Sequence, residues 1–101
     1  MLVIHATFPI DADSRDEALD LITSLAEQSR DEDGVIDYRV ATDIENPNVF
    51  RFFERYENEP AFEAHAETEH FREFEEALPE LLADEPEVRR FNISDTFAVD
   101  V

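Results

Sequence analysis

The histidines are the first candidates for acid–base chemistry in this sequence. Glu69 follows His65 by four residues, so on a helix it could orient the imidazole ring, although the same spacing also occurs in ordinary surface pairs. His65 and His70 are five residues apart, which on a single helix separates them by about 140°. Side chains at that angle do not share a metal ion as an i, i+4 pair does, so we expect no metal site. His5 lies in an apolar segment and is expected to be a packed or interface histidine.

A carboxylate and a tyrosine could complete an acid–base site. Glu54 follows Phe50 and Phe52 at alternating positions, so on a strand its side chain points inward with theirs. It then lies either near a helical histidine, as an acid–base pair, or at the end of the strand, paired with an arginine such as Arg51 or Arg90. Tyr38, on the neighbouring strand, could add its hydroxyl to a pocket or pack in the core with that hydroxyl at the rim.

Aromatic residues cluster around the same segments. They could wall an apolar cavity for a flat ligand, or they could simply fill the core, and their positions alone leave both interpretations open. The residues concerned are Phe52, Phe62, Phe71 and Phe74.

The composition excludes several classes of function. The chain contains no cysteine, which rules out disulfides, thiolate catalysis and cysteine-ligated zinc or iron–sulfur centres. Its single glycine, Gly34, cannot build a phosphate-binding loop, a dinucleotide-binding turn or a hydrolase nucleophile elbow. The formal charge of −19, with all eight basic residues arginine, disfavours nucleic acids and anionic membrane surfaces as partners.

Residues 1–101 are expected to fold as a single domain, because 43% of them are hydrophobic and nine are Phe. No segment has the length of a membrane span or the features of a signal peptide, so we expect a cytoplasmic protein. Such a high charge destabilises a compact chain by self-repulsion unless salt screens it. We therefore expect a halophilic protein, with an acidic protein of ordinary cytosol as the alternative.

Hydrophobic alternation and turn signals divide the chain into six elements. Strands are predicted over residues 2–9, 35–43, 49–56 and 88–99. One helix follows Asp11–Ser14 and ends before Gly34; the other begins after Asn58, bends near Thr68 and stops before Pro79. The order β-α-β-β-α-β predicts a ferredoxin-like α+β fold, with an antiparallel sheet and both helices on one face. The first and third strands, which are the most apolar, should be central.

The third strand carries apolar residues on both of its faces. Phe50 and Phe52 point one way, while Val49 and Phe53 point the other. Two helices cover only one face of the sheet, so the other face would expose an apolar patch of a few hundred Å², which monomers rarely do. We therefore expect a face-to-face homodimer; in the alternative, a monomer, arginine side chains of the strand cover Phe53.

One series of residues runs in a fixed order through nearly the whole chain: Glu32-Asp33-Gly34, Tyr38, Pro47, Phe50, Phe52, Glu54, Tyr56, Ala61, His65, His70, Phe71 and Phe74. Together with the predicted topology, this series resembles the antibiotic biosynthesis monooxygenase domain family. The resemblance implies a dimeric ferredoxin-like α/β barrel. It also implies a cofactor-independent oxygenase that acts with O2 on a quinol or a phenolic small molecule.

The resemblance also implies roles for individual residues. His65 would be the catalytic base or the substrate-orienting group, supported by Glu54 and Tyr38. The substrate-binding residues would be Phe52, Tyr56, Phe62 and Phe71, with Tyr56 standing in for the larger tryptophan of polyphenol-oxidising relatives. A deprotonated, electron-rich phenol can pass electrons directly to O2, so such an enzyme requires no flavin, heme or metal.

Other activities remain open at this point. Heme-degrading members of the family use a first-strand asparagine and a tryptophan, whereas this chain has Ala6 and Thr7 in that region and no tryptophan. An isomerase for a phosphorylated metabolite would need cationic groups in its pocket, for which Arg39, Arg51 and Arg90 are the candidates. A non-catalytic small-molecule-binding or stress-response module of the same dimeric fold needs no base at all.

Overall fold

The structure is a computed structural model that describes all of residues 1–101. The strands are β1 (Leu2–Pro9), β2 (Val35–Thr42), β3 (Val49–Tyr56) and β4 (Glu87–Asn92). The helices are α1 (Arg15–Arg30), α2 (Glu59–Ala66) and α3 (Glu69–Leu81), and a short 3-10 turn at Ala12–Ser14 precedes α1. None of these helices has the length and apolar composition that spanning a membrane requires.

The four strands form one antiparallel sheet in the order β2-β3-β1-β4. The first and third strands are central, as their apolar sequences predict, and the fold is the expected ferredoxin-like arrangement. The observed bounds of β1, β2 and β3 lie within one residue of those predicted, because each strand shows clear alternation and ends at a turn signal.

The core lies between the inner face of the sheet and the helices. Alternate residues of β1 and β3 point into it, among them Phe8 and Phe52, and α1 adds a stripe that includes Ile22 and Leu25. The rings of Phe8 and Phe52 pack edge to face with centroids 4.9 Å apart. This close packing between the sheet and the helices fixes the positions of the elements that carry the candidate site.

The single glycine has the special geometry that its rarity predicts. Gly34 ends the turn between α1 and β2 with φ of 85°, a region that other residues adopt at a cost. A Cβ atom at this position would lie 2.6 Å from the Cβ of Ala61 in α2. Gly34 therefore allows the turn after α1 to pack directly against α2, the helix that carries His65.

The second predicted helix is two helices. α2 ends at Ala66, and Thr68 starts α3 by accepting a hydrogen bond from the backbone N–H of Phe71, at 3.2 Å. The helix also continues past Pro79 to Leu81, contrary to the prediction. Leu81 is buried and its carbonyl accepts the N–H of Asp11, at 2.8 Å, so tertiary contacts hold this last turn.

The last strand is shorter than predicted. The alternation predicts a strand over residues 88–99, but β4 ends at Asn92, where it pairs with Leu2 at the start of β1. Beyond this point β1 offers no further partner, apart from one hydrogen bond from Ile93 N–H to the carbonyl of Met1. Phe97 and Val99, which the prediction places on this strand, are exposed outside any regular element.

No helix covers the outer face of the sheet, which we define as the side opposite α1, α2 and α3. Two aromatic residues are exposed there, Phe53 at 43% and Phe91 at 44%. The strand registers place four arginines on the same face, of which three form ion pairs: Arg51 with Asp43, Arg55 with Asp37 and Arg89 with Glu87; the fourth is Arg39.

Candidate functional site

A cavity of about 240 Å³ lies between the inner face of the sheet and the two helices α2 and α3. Its lining is mostly apolar, and aromatic rings supply much of it: Phe8, Phe52, Phe62, Phe71 and Phe74. Four polar side chains also reach it, namely Tyr38, Glu54, His65 and Glu75. A cavity with apolar walls and a few converging polar groups is the usual form of a small-molecule site.

His65 is the only buried residue of α2, with 1% of its surface exposed. The helix begins at Asn58, whose side chain accepts the N–H of Ala61 at 2.9 Å, so the local sequence fixes where α2 starts. One turn beyond Ala61, His65 points towards the sheet. Its ring packs against Tyr38 and Phe71, with centroids 5.3 and 5.1 Å away.

Glu32 holds the imidazole of His65 in place. The Nδ1 atom of His65 lies 2.8 Å from Oε2 of Glu32, a residue of the turn between α1 and β2. A carboxylate oxygen only accepts, so Nδ1 carries the proton of the neutral ring and donates it. The Nε2 atom, in contrast, is buried and has no hydrogen-bond partner in the protein. It is therefore left as a free acceptor on a ring that lines the cavity.

Two opposing effects act on the pKa of His65. Burial is the larger and lowers the pKa below its ordinary value, because a desolvated imidazolium is costly. The hydrogen bond and negative charge of Glu32 oppose this effect and raise the pKa. The net result is a neutral imidazole at neutral pH whose orientation is fixed.

His70 binds the same carboxylate oxygen as His65. Its Nε2 atom lies 2.6 Å from Oε2 of Glu32, and the break at Thr68 turns α3 so that this contact is possible. The angular separation expected for one continuous helix is therefore wrong, since the two histidines belong to different helices. Ligand atoms of Glu32, His65 and His70 lie within 4.8 Å of one another, in a group that could hold a metal ion.

Glu54 is the second buried ionisable group beside the cavity. Only 6% of its surface is exposed, and Oε1 accepts a hydrogen bond of 2.6 Å from the hydroxyl of Tyr56. Burial raises the pKa of Glu54 to about 7, against the lowering effect of that hydrogen bond. At neutral pH a substantial share of this carboxyl group therefore carries a proton.

The partners of these groups differ from those that the sequence suggests. Spacing favours Glu54, Tyr38 or Glu69 as the partner of His65, whereas Glu32 binds it, and Tyr56 binds Glu54 instead of an arginine. No local pattern marks Glu32 as a site residue. The Glu32-Asp33-Gly34 segment of the family pattern is the one signal that could have identified it.

The structure brings most of the predicted site residues together around the cavity. His65, Glu54 and Tyr38 line it, and so do three of the predicted wall residues, Phe52, Phe62 and Phe71. Tyr56 is behind the wall: it packs with Leu2 and Ile4 and contacts the ring of Phe62, with centroids 5.2 Å apart. Burial raises the pKa of Tyr38, and the charge of Glu54 adds to this, so its hydroxyl stays protonated.

A ferredoxin-like antiparallel sheet with helices on one face, and a partly open aromatic cavity between them, places the protein in the ferredoxin-like class of α+β proteins. The chain belongs to the antibiotic biosynthesis monooxygenase family, whose model matches residues 1–77. This finding supports a monooxygenase-like role.

The chain is also similar to individual proteins and to solved structures. The chain is 34% identical over 95 residues to the uncharacterized protein sll1783 of Synechocystis, covering 94% of this chain and 65% of that protein. It is 32% identical to YcnE of Bacillus subtilis, provisionally named a monooxygenase, covering 94% of this chain and all of YcnE. A crystal structure of an antibiotic biosynthesis monooxygenase superposes with a TM-score of 0.88 at 25% identity, over 94% of this chain and 100% of the other.

Proposed function

We propose that this protein is a cofactor-independent monooxygenase that acts on a quinol or phenolic small molecule. The observation that carries the proposal is the free, buried Nε2 acceptor of His65, held by Glu32 at the wall of a mostly apolar cavity. The cavity, at about 240 Å³, is slightly smaller than the usual ligand pocket, which suits a compact aromatic substrate of one or two rings.

The first step is removal of the substrate's hydroxyl proton. The hydroxyl donates to Nε2 of His65, and the proton moves to that nitrogen as the substrate becomes a phenolate. Glu32 stabilises the imidazolium that forms, through its hydrogen bond with Nδ1. The mostly apolar walls reduce contact of the phenolate with water, so it remains an electron-rich anion that O2 can oxidise.

The remaining steps insert one atom of O2 and release the other as water. An electron passes from the phenolate to O2, and the two radicals join at a ring carbon to form a C–O bond. The imidazolium of His65 returns its proton to the outer peroxide oxygen. The ring carbon then loses its hydrogen as a proton while the O–O bond breaks, and this proton leaves with the departing hydroxide as one water, which gives the quinone. The substrate supplies all four electrons that reduce O2, because the phenol loses two hydrogen atoms and gains one oxygen atom as it becomes the quinone. Glu54, in its protonated form, is placed at the cavity to protonate the departing oxygen.

Oxygen uptake tests this function directly. Wild type and His65→Ala are compared in molar KCl with a panel of one- and two-ring quinols and phenols, with circular dichroism as a check of folding. Removal of the base should lower turnover by roughly 10²- to 10⁴-fold. His5→Ala is the matched control, because His5 lies on the outer face of β1, remote from the cavity; light scattering checks that this variant has the same mass as wild type. Equal rates for wild type and His65→Ala, or no uptake by wild type with any substrate, would favour a non-catalytic binding module.

The proposal includes a homodimer formed through the outer face of the sheet. Phe53 and Phe91 are exposed on that face, and four arginines are balanced there by three paired carboxylates. A chain with a formal charge of −19 repels its own copies elsewhere, so this nearly neutral apolar face is where self-association is least opposed. Light scattering in molar KCl should give twice the chain mass of 11.7 kDa. Phe53→Glu should reduce this to the monomer mass, and a monomeric wild type would contradict the dimer.

A further inference from the structure

Glu32, His65 and His70 form a cluster that could bind a ligand as well as orient the imidazole of His65. Its three members come from three separate elements: the turn after α1, helix α2 and helix α3. Both imidazoles direct a nitrogen at one carboxylate oxygen, Oε2 of Glu32, at 2.8 and 2.6 Å. Once these two nitrogens give up their protons, they and the carboxylate oxygen offer three lone pairs within one small region, which is a donor set that a metal ion uses.

We propose that Glu32, His65 and His70 form a binding site for a divalent transition-metal ion such as Zn²⁺ or Co²⁺, and that its occupation blocks the base. Two imidazoles and one carboxylate suit these ions, whereas Mg²⁺ and Ca²⁺ favour sites made of oxygen ligands. The inhibition of His65 by bound metal rests on the proposed function of His65 as the catalytic base.

The three ligand atoms lie within 4.8 Å of one another, so small side-chain movements would bring them to metal-binding distances. Metal–ligand bonds of about 2.1 Å place neighbouring ligands of a tetrahedral ion about 3.4 Å apart. The contacts of Glu32 with the two histidines are shorter than this by about 0.7 Å. Glu32 lies in a turn and its side chain is 13% exposed, so it can withdraw by that distance. The side chain of His70 is 15% exposed, which leaves a path from solvent for the ion and for a water as fourth ligand.

Metal binding would change which nitrogen of His65 carries the proton. In the metal-free protein Nδ1 donates to Glu32, so Nε2 is the free acceptor. A metal on Nδ1 displaces that proton, and the neutral ring then holds its one proton on Nε2. The group that lines the cavity thereby becomes a donor and loses its capacity to accept a substrate proton. Occupation of the site by the ion therefore switches the base off without any contact between metal and substrate.

The first experiment uses the metal alone and needs no substrate. Untagged, EDTA-dialysed protein is titrated with Co²⁺ in molar KCl, and the visible absorption of protein-bound Co²⁺ is recorded. We expect one equivalent per chain, and at least tenfold weaker binding in His70→Ala and in Glu32→Gln. His5→Ala is the matched control and should bind as wild type does. No Co²⁺ absorption at millimolar metal, or equal binding by wild type and both site variants, would overturn the site.

The second experiment follows the proton on His65. Long-range ¹H–¹⁵N NMR of the histidine rings should show the Nδ1–H tautomer without metal and the Nε2–H tautomer after addition of Zn²⁺. An unchanged tautomer with Zn²⁺ bound would overturn the block. In the oxygen-uptake assay Zn²⁺ should inhibit wild type, and EDTA should restore it. Metal binding and the tautomer are both measured without a substrate. Failure of the metal site therefore leaves the monooxygenase proposal standing, and failure of the monooxygenase proposal removes the block but leaves the metal site standing.

Discussion

Replacing Glu54 by glutamine should stabilise the protein at alkaline pH and leave it nearly unchanged at acid pH. The pKa of Glu54 is raised from 4.5 to about 7 in the folded protein. Between these two values the unfolded chain releases a proton that the folded chain keeps, so stability falls as the pH rises. Below 4.5 both states are protonated and the penalty vanishes.

The size of the effect follows from the two pKa values. Each tenfold change in an equilibrium constant is worth about 1.4 kcal/mol, so ionised Glu54 costs the folded state about 3 kcal/mol at pH 8. At pH 5 the cost is below about 1 kcal/mol. Glu54→Gln removes this penalty while its side-chain oxygen can still accept the hydroxyl of Tyr56. The variant should therefore exceed wild type by about 3 kcal/mol at pH 8.

Urea unfolding in molar KCl, followed by circular dichroism at pH 5 and pH 8, measures this difference. Glu63→Gln serves as the control, because Glu63 is an exposed carboxylate of α2 and its replacement also removes one negative charge. That variant should differ from wild type by less than about 0.5 kcal/mol at both pH values. If Glu54→Gln and wild type keep the same difference at pH 5 and pH 8, Glu54 is ionised in the folded state. Its role as a proton donor in the cavity would then be refuted.

Three further predictions concern the support of the site and the charge of the chain. Gly34→Ala should destabilise the protein by about 2–4 kcal/mol in urea unfolding, since φ of 85° and the contact with Ala61 both resist a Cβ; a loss below about 1 kcal/mol would contradict this. Thr68→Ala removes the cap of α3 and should cost about 1 kcal/mol, with the ring NMR signals of His70 shifted; unshifted signals would show that the cap does not position it. Raising KCl from 0.1 to 3 M should increase stability by about 2 kcal/mol, or roughly 10 °C in Tm; equal melting temperatures would refute a halophilic design.

The predictable parts of this fold are those that local pattern determines. Alternation along β1, β2 and β3 predicts strand bounds accurate to about one residue, because a pleated strand shows its two faces in the sequence itself. The end of β4 is not predictable in this way, because it depends on where β1 begins, some ninety residues earlier in the chain. The apolar alternation beyond Asn92 finds no strand to pair with.

The same distinction applies to the candidate site. His65 and Glu54 can be found because their own segments place them on inward faces. Their hydrogen-bond partners cannot be found in this way, because these pairings depend on tertiary structure. Glu32 is 33 residues from His65, so residue spacing within a helix gives no information about their contact. The expected partner Glu69 is the first residue of α3, the helix that Thr68 caps. If Thr68 is interpreted as a helix cap, His65 and His70 belong to two different helices. The angular argument against their sharing a ligand then no longer applies.

The local stability of α2 depends largely on the packing of the His65 ring. His65 is its only fully buried side chain, and only Ala61 and Phe62 add partly buried packing, so this eight-residue segment should open locally more easily than α1. Backbone amides of α2 should exchange with solvent deuterium sooner than those of α1, which buries five residues. Any molecule that engages the ring of His65 would slow that exchange across the entire segment. Deuterium uptake in residues 59–66 is thus a readout of site occupancy that requires no knowledge of the reaction.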